Sequence, residues 1–189
     1  MAPEARRTIR DSGEVAALAH PLRLDLINHL MSRGPATASQ CARAVGDTPS
    51  NCSYHLRYLA RHGLVEPVES EPDQDSRERP WRATITGFQV DLDQPDPQQE
   101  ATLANIALQR DQRLAREHMA TRDSLEPAWR AASGMNTYTL RMTAAELEEL
   151  GNRLDALIRP YIAATRQDVH DRDAALVHLG LHAFPVAER

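Results

Sequence analysis

The sequence predicts a mainly α chain with a small β component, an α+β protein. Three observations carry that expectation. Between residues 12 and 65 apolar side chains recur at helical spacing in short runs closed by Gly34, Gly46 and Gly63. Two short β-type runs follow, 64–69 and 80–86, on either side of a polar tract. Beyond Gly134 the apolar period switches from helical to alternating, back to helical, and to alternating again.

The first helix is expected to be capped by Ser12, with Glu14 early, where a helix N-terminus favours an anion, and an apolar stripe of Val15, Leu18 and Ala19. Residues 1–11 are polar and are expected to fray. Pro21 suits the first position of a second helix, in which Leu22, Leu26, Ile27 and Leu30 face inward until Gly34-Pro35 stops it. Thr37 and Ser39 open a short third helix with Cys41, Ala42 and Val45 inside, closed by Gly46.

The fourth helix is the one the others serve. Thr48 or Ser50 caps it, Pro49 fits its first turn, and Cys52, Leu56 and Leu59 form a narrow apolar seam. Its other face carries Ser50, Asn51, Ser53, Tyr54, Arg57, Tyr58 and Arg61, with no acid among them. Arginine takes guanine bidentately, asparagine suits adenine, and hydroxyls suit phosphate, so this is the composition of a helix that enters a DNA major groove.

The run 64–69, the polar tract Ser70 to Arg79 and the run 80–86 make a β-hairpin directly after that helix, the wing of a winged helix–turn–helix. Arg77, Arg79 and Arg82 offer wing contacts to DNA, although Glu71, Asp73, Asp75 and Glu78 share the tip. All 22 basic residues of the chain are arginine. The net charge of -5 falls entirely on residues 88–189, whereas residues 20–65 carry five arginines against Asp25 and Asp47. Local charge decides where a polyanion docks, and here it is positive.

The segments "LAHPLRLDLINHL", "GPATASQCARAVG" and "TPSNCSYHLRYLARHGLVE" resemble the winged helix–turn–helix of ArsR-type bacterial transcriptional regulators, over about residues 12–87. The resemblance implies a homodimer that binds a two-fold symmetric operator in double-stranded DNA and represses. It places Ser50, Asn51, Ser53, Tyr54 and Arg57 against the groove. His55 falls where a histidine packs behind the helix near the DNA backbone, either as a phosphate contact or as a structural residue. The metal sensors of the family carry a paired-cysteine motif on the third helix or His/Asp pairs on a terminal helix. Here Cys41 stands alone and Cys52 belongs to the inner seam, so no metal site, no cofactor and no redox role is expected.

Residues 88–98, with two prolines and three aspartates, read as a linker. A long helix is expected from about Gln99 to Ala132, with Leu103, Leu114 and Leu125 eleven apart and Ile106 and Trp129 on the same side as a dimerisation face. Tyr138, Leu140 and Met142 alternate in a strand; Thr143 to Glu146 is a capping box for a helix with Leu147, Leu150, Leu154, Leu157 and Tyr161 inward. Val177, Leu179, Leu181 and Ala183 make a second strand, giving a strand–helix–strand (βαβ-like) unit. His178 and His182 share one face of that strand, with His170, Asp171 and Asp173 before them; a metal or effector site and a plain solvent-facing surface both account for them.

The domain division is thus 12–87 for DNA, 88–98 as linker, and 99–189 for dimerisation and an unknown small-molecule effector. Neither a phosphate loop nor a nucleophile elbow nor a zincin motif occurs, so the chain is not expected to be an enzyme. Two scattered cysteines and the lack of a signal-like or membrane-length apolar run point to the cytoplasm, with no membrane partner. The competing reading is an effector-binding or enzymatic C-terminal domain that uses the winged helix as a protein–protein module.

Overall fold

The computed structural model describes residues 7–68, 78–91, 93, 94, 96–166 and 174–186. Four helices come first: α1 (Ser12–Leu18), α2 (Pro21–Arg33), α3 (Ala38–Val45) and α4 (Pro49–Arg61). Each starts where its sequence supplies an acceptor or a proline. Asp11, rather than Ser12, caps α1 by accepting from the Glu14 N–H. Pro21 opens α2. Thr37 and Gln40 close a capping box on α3, and Thr48 accepts from the Asn51 N–H at the start of α4. Gly46 ends α3 in the left-handed conformation, φ 71°, which a side chain would strain.

Strands β2 (Val65–Pro67) and β3 (Trp81–Ala83) pair antiparallel, with Val65 opposite Ala83 and Pro67 opposite Trp81. Ala36 bridges Trp81 and ties the hairpin to the α2–α3 turn. Residues 69–77 lie outside the described residues, and with them Arg77, Glu71, Asp73 and Asp75. The core beneath is aliphatic: Leu18, Leu26, Ile27, Leu56, Leu59 and Leu64 are fully buried, with Cys41 and Cys52 among them.

Two expectations change at the ends of this domain. Residues 7–9 do not fray: β1 (Arg7–Ile9) pairs in parallel with β4 (Phe88–Val90), and Ile9 is fully buried. The start of the supposed linker is therefore a strand, because Phe88 and Val90 half-bury on the same core. Then α5 (Pro97–Thr121) packs on α1 and α2. Leu103 is 4% exposed and Ile106 packs against the domain's core, so both serve this chain's own interior. A carboxylate clamp fixes the arrangement: Asp25 of α2 accepts from Arg110 at 3.0 Å and from Arg113 at 2.8 and 2.9 Å.

The helix expected to run to Ala132 stops earlier. A 3-10 turn, Arg122–Ser124, ends it, Leu125 is extended, and Pro127, with no N–H to donate, restarts a short α6 (Pro127–Ala132). The capping box at Thr143 and Glu146 forms, and α7 (Ala144–Arg166) follows and lies against α2. The two flanking strands are the larger correction. Residues 137–143 and 174–186 are extended in sequence pattern but belong to no sheet among the described residues. A ladder needs the two edges side by side, and the second segment is held elsewhere: His178 and His182 each contact Asp111 of α5, at 3.0 and 2.8 Å. Residues His170, Asp171 and Asp173 lie outside the described residues.

Candidate nucleic-acid interface

On α4 the periodicity separates two faces cleanly. Cys52, Leu56 and Leu59 are fully buried, while Ser50, Asn51, Tyr54, Arg57 and Arg61 are exposed and Ser53 is half-buried. Tyr54 is 57% exposed, unusual for an aromatic residue in the compact half of the chain. A tyrosine there presents a ring face and a hydroxyl to whatever lies against the helix. Arg57 folds back along α4, its Nε donating to the Ser53 carbonyl at 3.2 Å. The Asn51 amide donates to both oxygens of Asp47 at 3.1 Å.

His55 stands apart from these residues. It is 7% exposed, stacks on His20 with ring centroids 4.6 Å apart, and meets Tyr54 edge-on at 5.1 Å. Its i+4 relation to Leu59 turns it inward, so it braces α4 against the α1–α2 corner. Burial, and then the charge of Arg23, push both imidazoles below their ordinary range, so the pair is neutral at pH 7.

Helical spacing puts Arg23 on the outward face of α2, yet it is held against two neighbouring helices. Its guanidinium lies over the Tyr58 ring, 4.6 Å from the centroid, and donates to the Ala16 and Ala17 carbonyls at the end of α1. One side chain thereby joins α1, α2 and α4. Its signal was its position two residues after Pro21, one turn from the apolar stripe of α2.

Asp47 lies beside the exposed face of α4, bonded to Asn51. Hydrogen bonds, first from the Thr48 N–H and then from Asn51, hold its carboxyl below the usual carboxylate range. At the wing, Arg82 donates to Glu66 across the hairpin at 2.7 Å, and Arg79 is exposed. Glu78, expected to weaken the wing's positive charge, turns away from it and accepts from the Ser39 N–H at 3.3 Å and its hydroxyl at 2.9 Å. An anion at the first turn of α3 complements the helix dipole, which accounts for the choice.

Of the expected dimerisation residues, Leu103 is buried and the other four, Ile106, Leu114, Leu125 and Trp129, are half-buried, Ile106 against the domain's own core. Both cysteines are free and fully buried; burial first, and then neighbouring Cys52, push the Cys41 thiol up to about 11. An open cleft of about 420 Å³ lies between α1 and the start of α5, lined by Ala16, Ala19, Asp96, Gln98, Gln99 and Thr102. Among the described residues no helix is long and apolar enough to cross a membrane.

Residues 18–68 match a family model described as a helix-turn-helix domain. No curated protein matches the chain. Among solved structures, the chain is similar to the homodimeric winged helix-turn-helix DNA-binding domain Mb0332 from Mycobacterium bovis, a possible ArsR-family transcriptional regulator. The identity is 26%, over 56% of this chain and 78% of that one, with a TM-score of 0.32. It is also similar to a possible transcriptional regulator for arsenical resistance, at 28% identity over 54% of this chain and 93% of that one, with a TM-score of 0.32. A cysteine-to-serine mutant of ZitR from Lactococcus lactis shares 14% identity, over 77% of this chain and 74% of that one, with a TM-score of 0.31.

Proposed function

We propose that this chain, whose residues 18–68 are a helix-turn-helix domain similar to those of ArsR-type regulators, is a sequence-specific DNA-binding transcriptional regulator that represses as a homodimer on a two-fold symmetric operator. The observation that carries the reading is the outer face of α4. Ser50, Asn51, Tyr54, Arg57 and Arg61 stand exposed on one rigid helix, with donors and a ring but no acid between Ser50 and Arg61. Such a face suits base edges and phosphates, and a protein-binding module has no need to be acid-free.

The dimer follows from reach. One recognition helix covers only a few base pairs, and a symmetric partner places a second in the next major groove, about one helical turn away. Residues 12–87 supply the reading unit, and 99–189 the dimer contact and the place for a small-molecule effector. The wing adds Arg79, and by sequence Arg77, to the flanking backbone. The protein acts in the cytoplasm, without catalysis and without a metal.

A gel-shift of the full chain on the DNA just upstream of its own gene tests this. The expected result is one discrete complex that resists non-specific competitor. Binding that tracks only ionic strength, with no preference among sequences, would remove the regulator reading.

A further inference from the structure

Three rings form a chain that starts on the exposed face of α4 and ends at the α1–α2 corner. Tyr54 is 57% exposed and meets His55 edge-on, with centroids 5.1 Å apart and planes at 81°. His55 is 7% exposed and packs on His20, with centroids 4.6 Å apart and planes at 35°. Both histidines keep Nδ1 buried without a hydrogen-bond partner. No hydrogen bond ties either ring down at that atom, so each is held by the rings beside it.

The surroundings favour uncharged imidazoles. Burial, the largest influence, lowers both rings from the ordinary imidazole range. Arg23 of α2 acts against a charge on either ring, and its guanidinium is fixed over Tyr58. Asp47, at the α3–α4 turn, acts the other way on His55, but its carboxylate is engaged with Thr48 and Asn51. Glu14 of α1 is bound to Arg7, and His62 after α4 faces Tyr58.

We propose that His20 and His55 position the Tyr54 ring against a thymine methyl of the operator, and hold it there only while both are uncharged. This rests on the DNA-reading face of the preceding reading and adds the residues that aim one of its members. The major groove marks thymine by its C5 methyl, and an apolar ring is a partner for that group. An edge-to-face pair fixes the angle between its two rings. His55 therefore sets where Tyr54 points, and His20 sets where His55 sits. A proton on either imidazole puts a buried cation near Arg23, so the pair separates and Tyr54 loses its backing. Because both rings are lowered by the fold, the contact is complete above about pH 6.5 and is lost as the pH falls below it. A phosphate contact has the opposite sign, since an imidazolium strengthens binding to a polyanion.

Operator DNA with deoxyuridine in place of each thymine in turn removes one methyl at a time. For the full chain at about pH 7.5, one such replacement in each half-site should weaken binding about fourfold, the worth of one buried methyl. That penalty should vanish at about pH 5, and in Tyr54→Ala at either pH. His55→Ala should remove it at the higher pH. His55→Phe, which keeps a ring and cannot titrate, should retain it at both. The two His55 variants decide at the higher pH alone, should circular dichroism show the chain unfolded in acid. A penalty equal at both pH values in a folded chain, or one that His55→Ala leaves in place, overturns the positioning. So does operator affinity that rises in acid and falls in His55→Phe, the behaviour of a phosphate contact. An operator complex with no methyl penalty at any thymine overturns the Tyr54 contact and leaves the DNA reading standing. No sequence-selective complex at all removes that reading and this inference with it.

Discussion

The guanidinium of Arg23 lies 4.6 Å above the ring of Tyr58, so a residue of α2 holds the recognition helix by its flank. The same group donates to the Ala16 and Ala17 carbonyls, which α1 leaves without helical partners. Burial pulls the Arg23 pKa down while the facing tyrosines hold it up, and a guanidinium stays charged throughout. Three helices are therefore referred to one cation. Arg23→Ala is expected to cost about 1–2 kcal/mol of stability from the lost ring contact and carbonyl partners. Arg23→Lys should recover only part, because an ammonium does not stack and fork together. Chemical denaturation with operator titration checks this: stability and affinity should fall together, and a loss of affinity alone would mean that Arg23 contacts DNA directly.

Base reading is expected of Arg57 and Asn51. Arg57→Ala should weaken specific binding by about 1–3 kcal/mol and relax selection at one position in each half-site. Asn51 must exchange its Asp47 partner for a base, so Asp47→Ala should leave Asn51 free while removing an acid from the face. Operator selection with the two alanine variants is the check. If the Arg57→Ala, Asn51→Ala double variant binds as the parent does, the reading face lies elsewhere.

The thiols should be silent. With Cys41 pushed up to about 11 and Cys52 raised as well, both by burial, neither is a thiolate at neutral pH. A thiol reagent should label the folded protein slowly, and a chelator should leave operator affinity unchanged. Cys41→Ser places a hydroxyl in the core and should cost about 1–3 kcal/mol. A stoichiometric zinc or copper signal that needs the thiols and tracks loss of DNA binding would reverse this.

Acid should loosen the domain through His20 and His55. Burial, with Arg23 second, lowers both folded-state pKa values, so the unfolded chain takes up protons first. The stability these neutral rings contribute is present above the ordinary imidazole value of about 6.5 and is lost as the pH falls below it. His29 is lowered by burial in the same sense. Urea midpoints at pH 7.5 and 5.5 measure the slope. It should flatten in a His20→Asn, His55→Phe double variant, with a remainder from His29; an unchanged slope would place the acid response in other groups.

What the sequence by itself determined is local. The caps at Thr37, Thr48 and Thr143, the glycine stop at Gly46 and the seam Cys52, Leu56, Leu59 all lie within a few residues of what they act on. Propensity and period therefore placed α1 to α4 and the hairpin, and separated the apolar seam of α4 from its exposed, acid-free face. Its side-chain periodicity could not say that His55 packs on His20, because that depends on a residue thirty-five positions away. Nor could it find β1, whose partner β4 is some eighty residues on. The tertiary structure decided these, and it decided where the C-terminal alternation goes. Residues 137–143 and 174–186 have the pattern of strands, but a strand is a pair, and Asp111 takes His178 and His182 to the side of α5. Pattern specifies which face of an element is apolar; only the packed chain specifies what that face meets.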